Sequence, residues 1–226
     1  MHIGLIGGIG PASTEYYYRA LTKRHAAAGQ RLSLTIANAH APELVANMEA
    51  ANASGQAECF AGYVNQLRAG GCEAVALSSM GAHFCIKELE AVSSLPVISA
   101  IPSLESHFLT MGVTRVGVLG TTSVMQSKLY GIGSVEVIVP PAEELGKVHS
   151  NYIAMALSGA ATDDQRRFFA SAGLNLYRDR GAEVIVLGGT DLFLAFKGRE
   201  GDYGYPIVDS ALIHAEAIAR VAMGTI

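Results

Sequence analysis

The sequence predicts an α/β protein built from two similar halves, each a parallel sheet flanked by helices. Two observations support this fold class. Short apolar segments alternate with amphipathic ones along the chain, and the pattern of the first half recurs in the second. Strand–helix alternation is typical of parallel sheets with helices on both faces. Hydrophobic residues make up 50% of the chain, enough to build a buried core.

The first expected strand is the apolar run at residues 1–7, which ends in glycine and has the character of a buried parallel strand. A helix should follow over residues 13–27, with Ser13 as its N-terminal cap. The later expected strands are residues 32–37, 74–77, 96–99, 116–119, 135–139, 184–187 and 207–208. The later expected helices are residues 56–69, 145–157, 165–180 and 210–222.

An internal repeat divides the chain. The opening strand, IGLIG, resembles VGVLG at residues 116–120, an offset of 113 positions (116 − 3). Two further pairs share an offset of 110 positions (181 − 71 and 206 − 96): residues 71–79 with 181–189, and residues 96–98 with 206–208. Three matches in one order at nearly one offset indicate duplication rather than chance.

The repeat predicts two domains of ordinary size. The first is expected to comprise residues 1–98 plus 209–226, and the second residues 99–208, with the chain crossing over residues 99–114. Open α/β sheets bind ligands at the carboxyl ends of their strands. We therefore expect the functional site in the cleft between the two domains, with Ser79 and Gly189 on opposite walls.

Composition excludes several function classes. The formal net charge is −4 with no basic run, so neither nucleic acid nor a membrane surface is an expected partner. The three cysteines, Cys59, Cys72 and Cys85, form neither a disulfide framework nor a zinc motif. We expect a cytoplasmic protein with reduced thiols and no signal peptide. The tyrosines at residues 16–18 are expected to pack a helix and to form the interface of a homodimer.

The glycine loop after the first strand reads GGIGP. A dinucleotide site would need a third glycine where Ser13 stands and an acidic residue where Asn38 ends the second strand. We therefore expect no nucleotide. The amides of Gly8, Ile9 and Gly10 are expected to bind a small carboxylate instead, the alternative being a purely structural turn.

The loop after the third strand carries Ser79, Met80 and Gly81, which are expected to line the site, and then His83. His83 is a candidate general acid or base. A hydrogen-bonded structural histidine is the equally weighted alternative. Cys85 follows two residues later, a spacing that does not place it on the same helical face as His83, so we interpret it as a buried, inert thiol.

The equivalent loop of the second half carries Gly189, Thr190 and Asp191. Asp191 lies between apolar segments, an environment expected to raise its pKa and suit it to act as a base. A helix cap is its alternative role.

Thr121 and Thr122 follow the strand that repeats the first strand of the chain. Hydroxyls and amides at the start of a helix can bind a carboxylate. Simple capping of that helix is the alternative role.

These segments resemble the aspartate/glutamate racemase superfamily. The resemblance covers nearly the whole chain in order: residues 3–14 (IGLIGGIGPAST), 116–125 (VGVLGTTSVM), 137–140 (VIVP) with Val148 and His149, and 181–192 (GAEVIVLGGTDL). It implies two α/β domains and chemistry on small acids without pyridoxal phosphate or another cofactor. Family members racemise or isomerise such acids, and some relatives decarboxylate malonates.

The chain departs from the family at the reactive residues. The resemblance implies two cysteines on opposite faces of the substrate, but their positions hold Ser79 and Gly189. A serine without a base is a far weaker proton acceptor than a thiolate, and glycine offers none. The segment that usually carries a substrate-binding arginine reads Pro42-Glu43-Leu44.

Three functions remain open at this stage. The first is an isomerase or lyase acting on a small amino, hydroxy or keto acid, with Asp191 as acid/base and with Ser79 and His83 polarising the substrate. The second is a binding protein for small carboxylates without catalysis. The third is an amino-acid racemase that uses other bases. In each case the expected ligand is a small carboxylate, and no metal is expected because no His/Cys cluster has metal-site spacing.

Overall fold

The structure is a computed structural model that describes residues 1–198 and 203–225. Two units can be separated. Unit 1 comprises Met1–Ala100 and Leu212–Ile226, and unit 2 comprises Ile101–Ala211. Within the described residues no helix is both long and apolar enough to cross a membrane.

Unit 1 contains a three-stranded parallel sheet. Its strands are β1 (His2–Gly7), β2 (Ser33–Asn38) and β3 (Ala74–Leu77), in the order β2-β1-β3. All four residues of β3, and every residue of β1 after His2, are buried. Apolar runs without polar alternation are expected of strands covered on both faces, as the sequence predicted.

The helices of unit 1 cover this sheet. They are α1 (Pro11–Ala27), α2 (Ala41–Glu49), α3 (Ala53–Ala69) and α4 (Ile86–Val92), and α5 (Ala100–Met111) starts at the boundary with unit 2. Asn52 begins α3 by accepting a hydrogen bond from the Gly55 amide at 3.1 Å. Pro11 opens α1, where its missing amide hydrogen removes no helical bond.

Two local expectations for unit 1 are wrong. The predicted strand at residues 96–99 is a single bridge between Val75 and Val97, because Pro96 has no amide hydrogen to donate and α5 already begins at Ala100. Ser13 does not cap α1. The N-cap is Gly10, and the Ser13 hydroxyl is buried and donates to the carbonyl of Ser78.

Unit 2 contains a four-stranded parallel sheet. Its strands are β4 (Arg115–Leu119), β5 (Glu136–Ile138), β6 (Val184–Leu187) and β7 (Ile207–Asp209), in the order β5-β4-β6-β7. The remaining helices are α6 (Thr122–Gln126), α7 (Lys128–Gly131), α8 (Ala142–Ser158), α9 (Asp163–Arg178), α10 (Phe193–Phe196) and α11 (Ser210–Met223), of which α11 lies in unit 1 from Leu212 onward. Helix α9 packs on β4 and β6, as α3 packs on β1 and β2.

The repeat is visible in the strand pairing. Val75 pairs with Val97 in unit 1, and Ile185 pairs with Ile207 in unit 2, the same pairing 110 positions later (185 − 75 and 207 − 97). Both sheets place their first strand in the centre, between the second and third. The predicted fold class, two parallel α/β sheets flanked by helices, is therefore confirmed.

Candidate active site

The carboxyl edge of the unit 2 sheet holds a buried acidic residue. Gly189 follows β6 and leads into a 3₁₀ turn, Thr190–Leu192, whose second residue is Asp191. Thr190 and Asp191 are only 2% and 3% exposed. This edge is where open α/β sheets bind their ligands, so the fold places an ionisable group in a position suited to chemistry.

Tyr152 of α8 reaches the same place. Its phenol donates a hydrogen bond to Asp191 Oδ2 at 3.2 Å, and the residue is 6% exposed. Burial first, and then the negative charge of Asp191, raise the pKa of Tyr152 well above its usual range. The phenol therefore keeps its proton and acts as a donor. The residues Val148, Tyr152 and Met155 form the buried face of α8, which fixes the orientation of the ring.

The Tyr152 ring occupies the space beside Gly189. A Cβ atom at position 189 would lie 2.3 Å from Tyr152 Cε2 and 2.7 Å from Cζ. The backbone of Gly189 has a φ of −116°, which any residue adopts. The ring, rather than the backbone, therefore excludes a side chain here, at the position where the family resemblance implies the second cysteine.

A second polar group lies at the carboxyl end of β4. Thr121 caps α6 by accepting from the Val124 amide at 3.2 Å, and the Thr122 amide donates to His149 Nδ1 at 3.2 Å. A nitrogen that accepts is unprotonated, so the neutral ring carries its proton on Nε2. That N–H makes no hydrogen bond to any described residue and can be donated to an acidic ligand.

In unit 1, Ser79 occupies the position implied for the first cysteine. The residue is 6% exposed, and its hydroxyl makes no hydrogen bond to a described residue. Its backbone carbonyl accepts from His83 Nδ1 at 2.8 Å. The neighbouring Met80 is fully buried, and Gly81 begins the 3₁₀ turn Gly81–Cys85. The loop is thus held through its backbone and presents a hydroxyl.

His83 is fixed at both ring nitrogens. Besides the bond to the Ser79 carbonyl, its Nε2 accepts from the Ala100 amide at 3.1 Å, and this pair of bonds places the proton on Nδ1. Burial lowers the pKa of His83 to about 4. These observations favour the structural role that the sequence left open. Cys85 is fully buried, which raises its pKa to about 12, in keeping with an inert thiol.

Sequence reasoning missed the partner of His83. The ring of His214 on α11 lies 5.5 Å from that of His83, edge to face. Its Nδ1 accepts from the Tyr17 hydroxyl at 2.9 Å and its Nε2 donates to the Ile98 carbonyl at 2.8 Å. Burial lowers the pKa of His214 to about 3. No local signal marks a lone histidine within an alanine-rich helix.

The glycine loop offers fewer amides than expected. Gly8 has a φ of +83°, which favours glycine, and its amide already donates to Thr14 Oγ1 at 2.9 Å. The amides of Ile9 and Gly10 make no hydrogen bond to a described residue. The loop can therefore bind a carboxylate through Ile9 and Gly10, but the expectation for the Gly8 amide needs correction. Among the described residues no group of His, Cys, Asp or Glu is arranged to hold a metal ion.

Comparison with known proteins assigns the family. A model of the Asp/Glu/hydantoin racemase family matches residues 6–218. The chain belongs to this family. The resemblance drawn from the sequence motifs is thereby confirmed.

Solved structures of this racemase family share the fold. A candidate Asp/Glu racemase from Yersinia pestis matches with a TM-score of 0.83 and 22% identity, over 99% of this chain and 100% of its own. An aspartate racemase homologue from Pyrococcus horikoshii OT3 matches with a TM-score of 0.79 and 25% identity, over 98% and 99%. An arylmalonate decarboxylase matches with a TM-score of 0.55 and 15% identity, over 98% and 92%.

Proposed function

We propose that this racemase-family chain is a cofactor-independent isomerase or lyase that moves a proton from one side only, at a carbon next to the carboxylate of a small acid. One observation carries the proposal. The resemblance implies a proton-transferring cysteine at each of two positions, and this chain has Ser79 at the first and Gly189 at the second. The ring of Tyr152 fills the space beside Gly189, and the acidic residue Asp191 lies two positions after it.

Proton exchange by a matched pair of thiols is not available to this chain. Among the described residues no base hydrogen-bonds to the Ser79 hydroxyl, because His83 bonds to the carbonyl of Ser79 and is neutral above about pH 4. Tyr152 holds its proton far more tightly than a thiol. Racemisation that needs a base on each face is therefore disfavoured, and chemistry that needs one base is favoured.

Asp191 is the proposed acid/base. It follows β6 at the ligand-binding edge of the sheet, its carboxylate is held by the Tyr152 hydroxyl, and it aligns with the acidic residue after the second cysteine of the family. A positioned general base contributes a factor of about 10² to 10⁴ to the rate.

The proposed ligand is a small carboxylate, such as an amino, hydroxy, keto or malonic acid. In unit 2, His149 Nε2–H and the start of α6 at Thr121 and Thr122 supply donors for its oxygens. In unit 1, the amides of Ile9 and Gly10 before α1 are equally suited. The cleft with Ser79 and Gly189 on opposite walls, the cytoplasmic location and the homodimer expected from the sequence stay predictions.

The test is hydrogen exchange at the α-carbon in deuterated water, followed by NMR for a panel of such acids. We expect at least one acid to exchange, or a malonic acid to lose carbon dioxide and gain deuterium, at about 1 per second or faster. Asp191→Asn should lower the exchange rate by about 10² to 10⁴ while the acid still binds. Asp179→Asn, an exposed aspartate after α9, is the matched control and should leave the rate unchanged.

Other results would point elsewhere. Binding without exchange, detected as a thermal shift with one of the acids, would favour a non-catalytic carboxylate-binding protein. If the Asp191→Asn variant exchanges the acid at the wild-type rate, Asp191 has only a structural role.

A further inference from the structure

We propose that Tyr152 stands in for the second cysteine of the family, as the proton donor on the Gly189 side of the substrate. The inference rests on the proposed function, because it assigns the partner of Asp191 in the same reaction. Its starting point is steric. The Tyr152 ring fills the space of a side chain at position 189, so a thiol at that position and a tyrosine at 152 exclude each other.

The second step concerns the hydroxyl group. The phenol lies 3.2 Å from Asp191 Oδ2 and donates to it, so a proton can pass between the two groups without solvent. Tyr152 and Asp191 are both buried, at 6% and 3% exposure. A tyrosine that keeps its proton is a donor rather than a base, and it therefore complements the carboxylate instead of duplicating it.

The proton balance closes within this pair. The Asp191 carboxylate takes the proton from the substrate carbon, which leaves a carbanion stabilised by the neighbouring carbonyl. The Tyr152 O–H bond then breaks as a new bond to hydrogen forms on the substrate, on the same side. The phenolate recovers a proton from the Asp191 carboxyl group, and both residues return to their starting states. The net result is hydrogen exchange with retained configuration when the same carbon receives the proton, and an isomerisation by proton shift when a neighbouring atom of the carbanion receives it. Neither reaction consumes a co-reactant.

For a malonic acid substrate the same donor suffices. Loss of carbon dioxide leaves the carbanion directly, and Tyr152 protonates it from the Gly189 side. Each turnover consumes one proton, which water resupplies to the Tyr152 phenolate either directly or through the carboxyl group of Asp191. In either reaction the new hydrogen arrives on one face of the substrate.

The steric part is tested by a double-mutant cycle that needs no substrate. Gly189→Ala should lower the melting temperature by about 3–10 °C, because a rigid ring meets the new methyl group. In a Tyr152→Phe background, which keeps the ring, Gly189→Ala should lower the melting temperature by the same amount. In a Tyr152→Ala background, Gly189→Ala should not lower the melting temperature. Gly146→Ala, on α8 with open space around it, is the control and should not lower the melting temperature.

The chemical part is tested with Tyr152→Phe, using whichever acid of the panel the wild-type protein exchanges. We expect kcat to fall by about 10² to 10⁴ with little change in KM. A merely structural tyrosine would change stability and leave kcat almost intact.

The outcomes separate this inference from the proposed function. If the wild-type protein exchanges an acid and Tyr152→Phe exchanges it equally well, the donor role is overturned while the proposed function stands. If the wild-type protein neither exchanges nor decarboxylates any of the acids, both are overturned, and the double-mutant cycle still decides whether the ring occupies the cysteine position. Equal losses for Gly189→Ala in all three backgrounds overturn the steric part.

Discussion

At the scale of single residues, the two positions implied for the cysteines of the family hold a serine and a glycine. Position 79 keeps a small polar side chain on a loop that is fixed through its backbone. Position 189 has no side chain, and Tyr152 fills the space. The change from thiols to hydroxyls removes groups that ionise near neutral pH, so the proposed function assigns proton transfer to a buried carboxylate, Asp191.

Two of the buried histidines, His83 and His214, make the stability of the fold depend on pH. His83 and His214 titrate in the folded protein at about pH 4 and about pH 3, below their usual value of 6.5 in an unfolded chain. The unfolded state therefore binds protons first as pH falls. Stability is fully present above about pH 6.5, and each histidine lowers the free energy of unfolding by up to about 1.4 kcal/mol per pH unit below it.

We expect urea denaturation to show this loss between pH 6.5 and 4.5. His83→Gln, which removes one of the titrating rings, should make the fall shallower. His107→Gln, a partly exposed histidine on α5, is the control and should leave the slope as in the wild-type protein. A stability that stays constant from pH 6.5 to 4.5 would contradict the neutral, buried pair.

At the scale of elements, the strands were the most predictable part of the chain. Unbroken apolar runs located β3 and β6 to the residue, because strands buried on both faces need such runs. The strand predicted at residues 96–99 was wrong, because Pro96 has no amide hydrogen and α5 begins at Ala100, so that only one bridge forms. Helices α2 and α5 were missed because a proline near each start resembles a turn.

Helix α9 offers a clean test of local stabilisation. Thr162 accepts from the Gln165 amide at 3.2 Å, and the Gln165 side chain accepts from the Thr162 amide at 2.9 Å, which forms a reciprocal cap. Thr162→Ala should cost about 1 kcal/mol, or about 2–4 °C in melting temperature. Ser171→Ala, on the exposed part of the same helix, should be neutral or slightly stabilising. Equal effects of the two variants would show that the cap contributes nothing.

For the molecule as a whole, the internal duplication allowed the fold class to be predicted from the sequence. Motifs at a nearly constant offset predicted two sheets, and the pairing of Val75 with Val97 and of Ile185 with Ile207 follows that offset. The same reasoning located Asp191, because repeated loops follow equivalent strands. It could not locate Tyr152, which lies in the middle of a helix and reaches Asp191 only through the packing of α8. Contacts that depend on tertiary packing leave no local pattern.

Proton transfer from one side without a thiol pair can be distinguished from racemisation by comparing hydrogen exchange with inversion of configuration. Single enantiomers of the acid panel, with aspartate and glutamate included, are incubated in deuterated water. Deuterium uptake is followed by NMR and configuration by chiral chromatography. Exchange from one side returns the hydrogen to the face it left, so deuterium should enter at least one acid faster than its configuration inverts. Aspartate and glutamate should not racemise. Inversion that keeps pace with deuterium uptake, or the absence of both uptake and decarboxylation with every acid, would contradict proton transfer from one side.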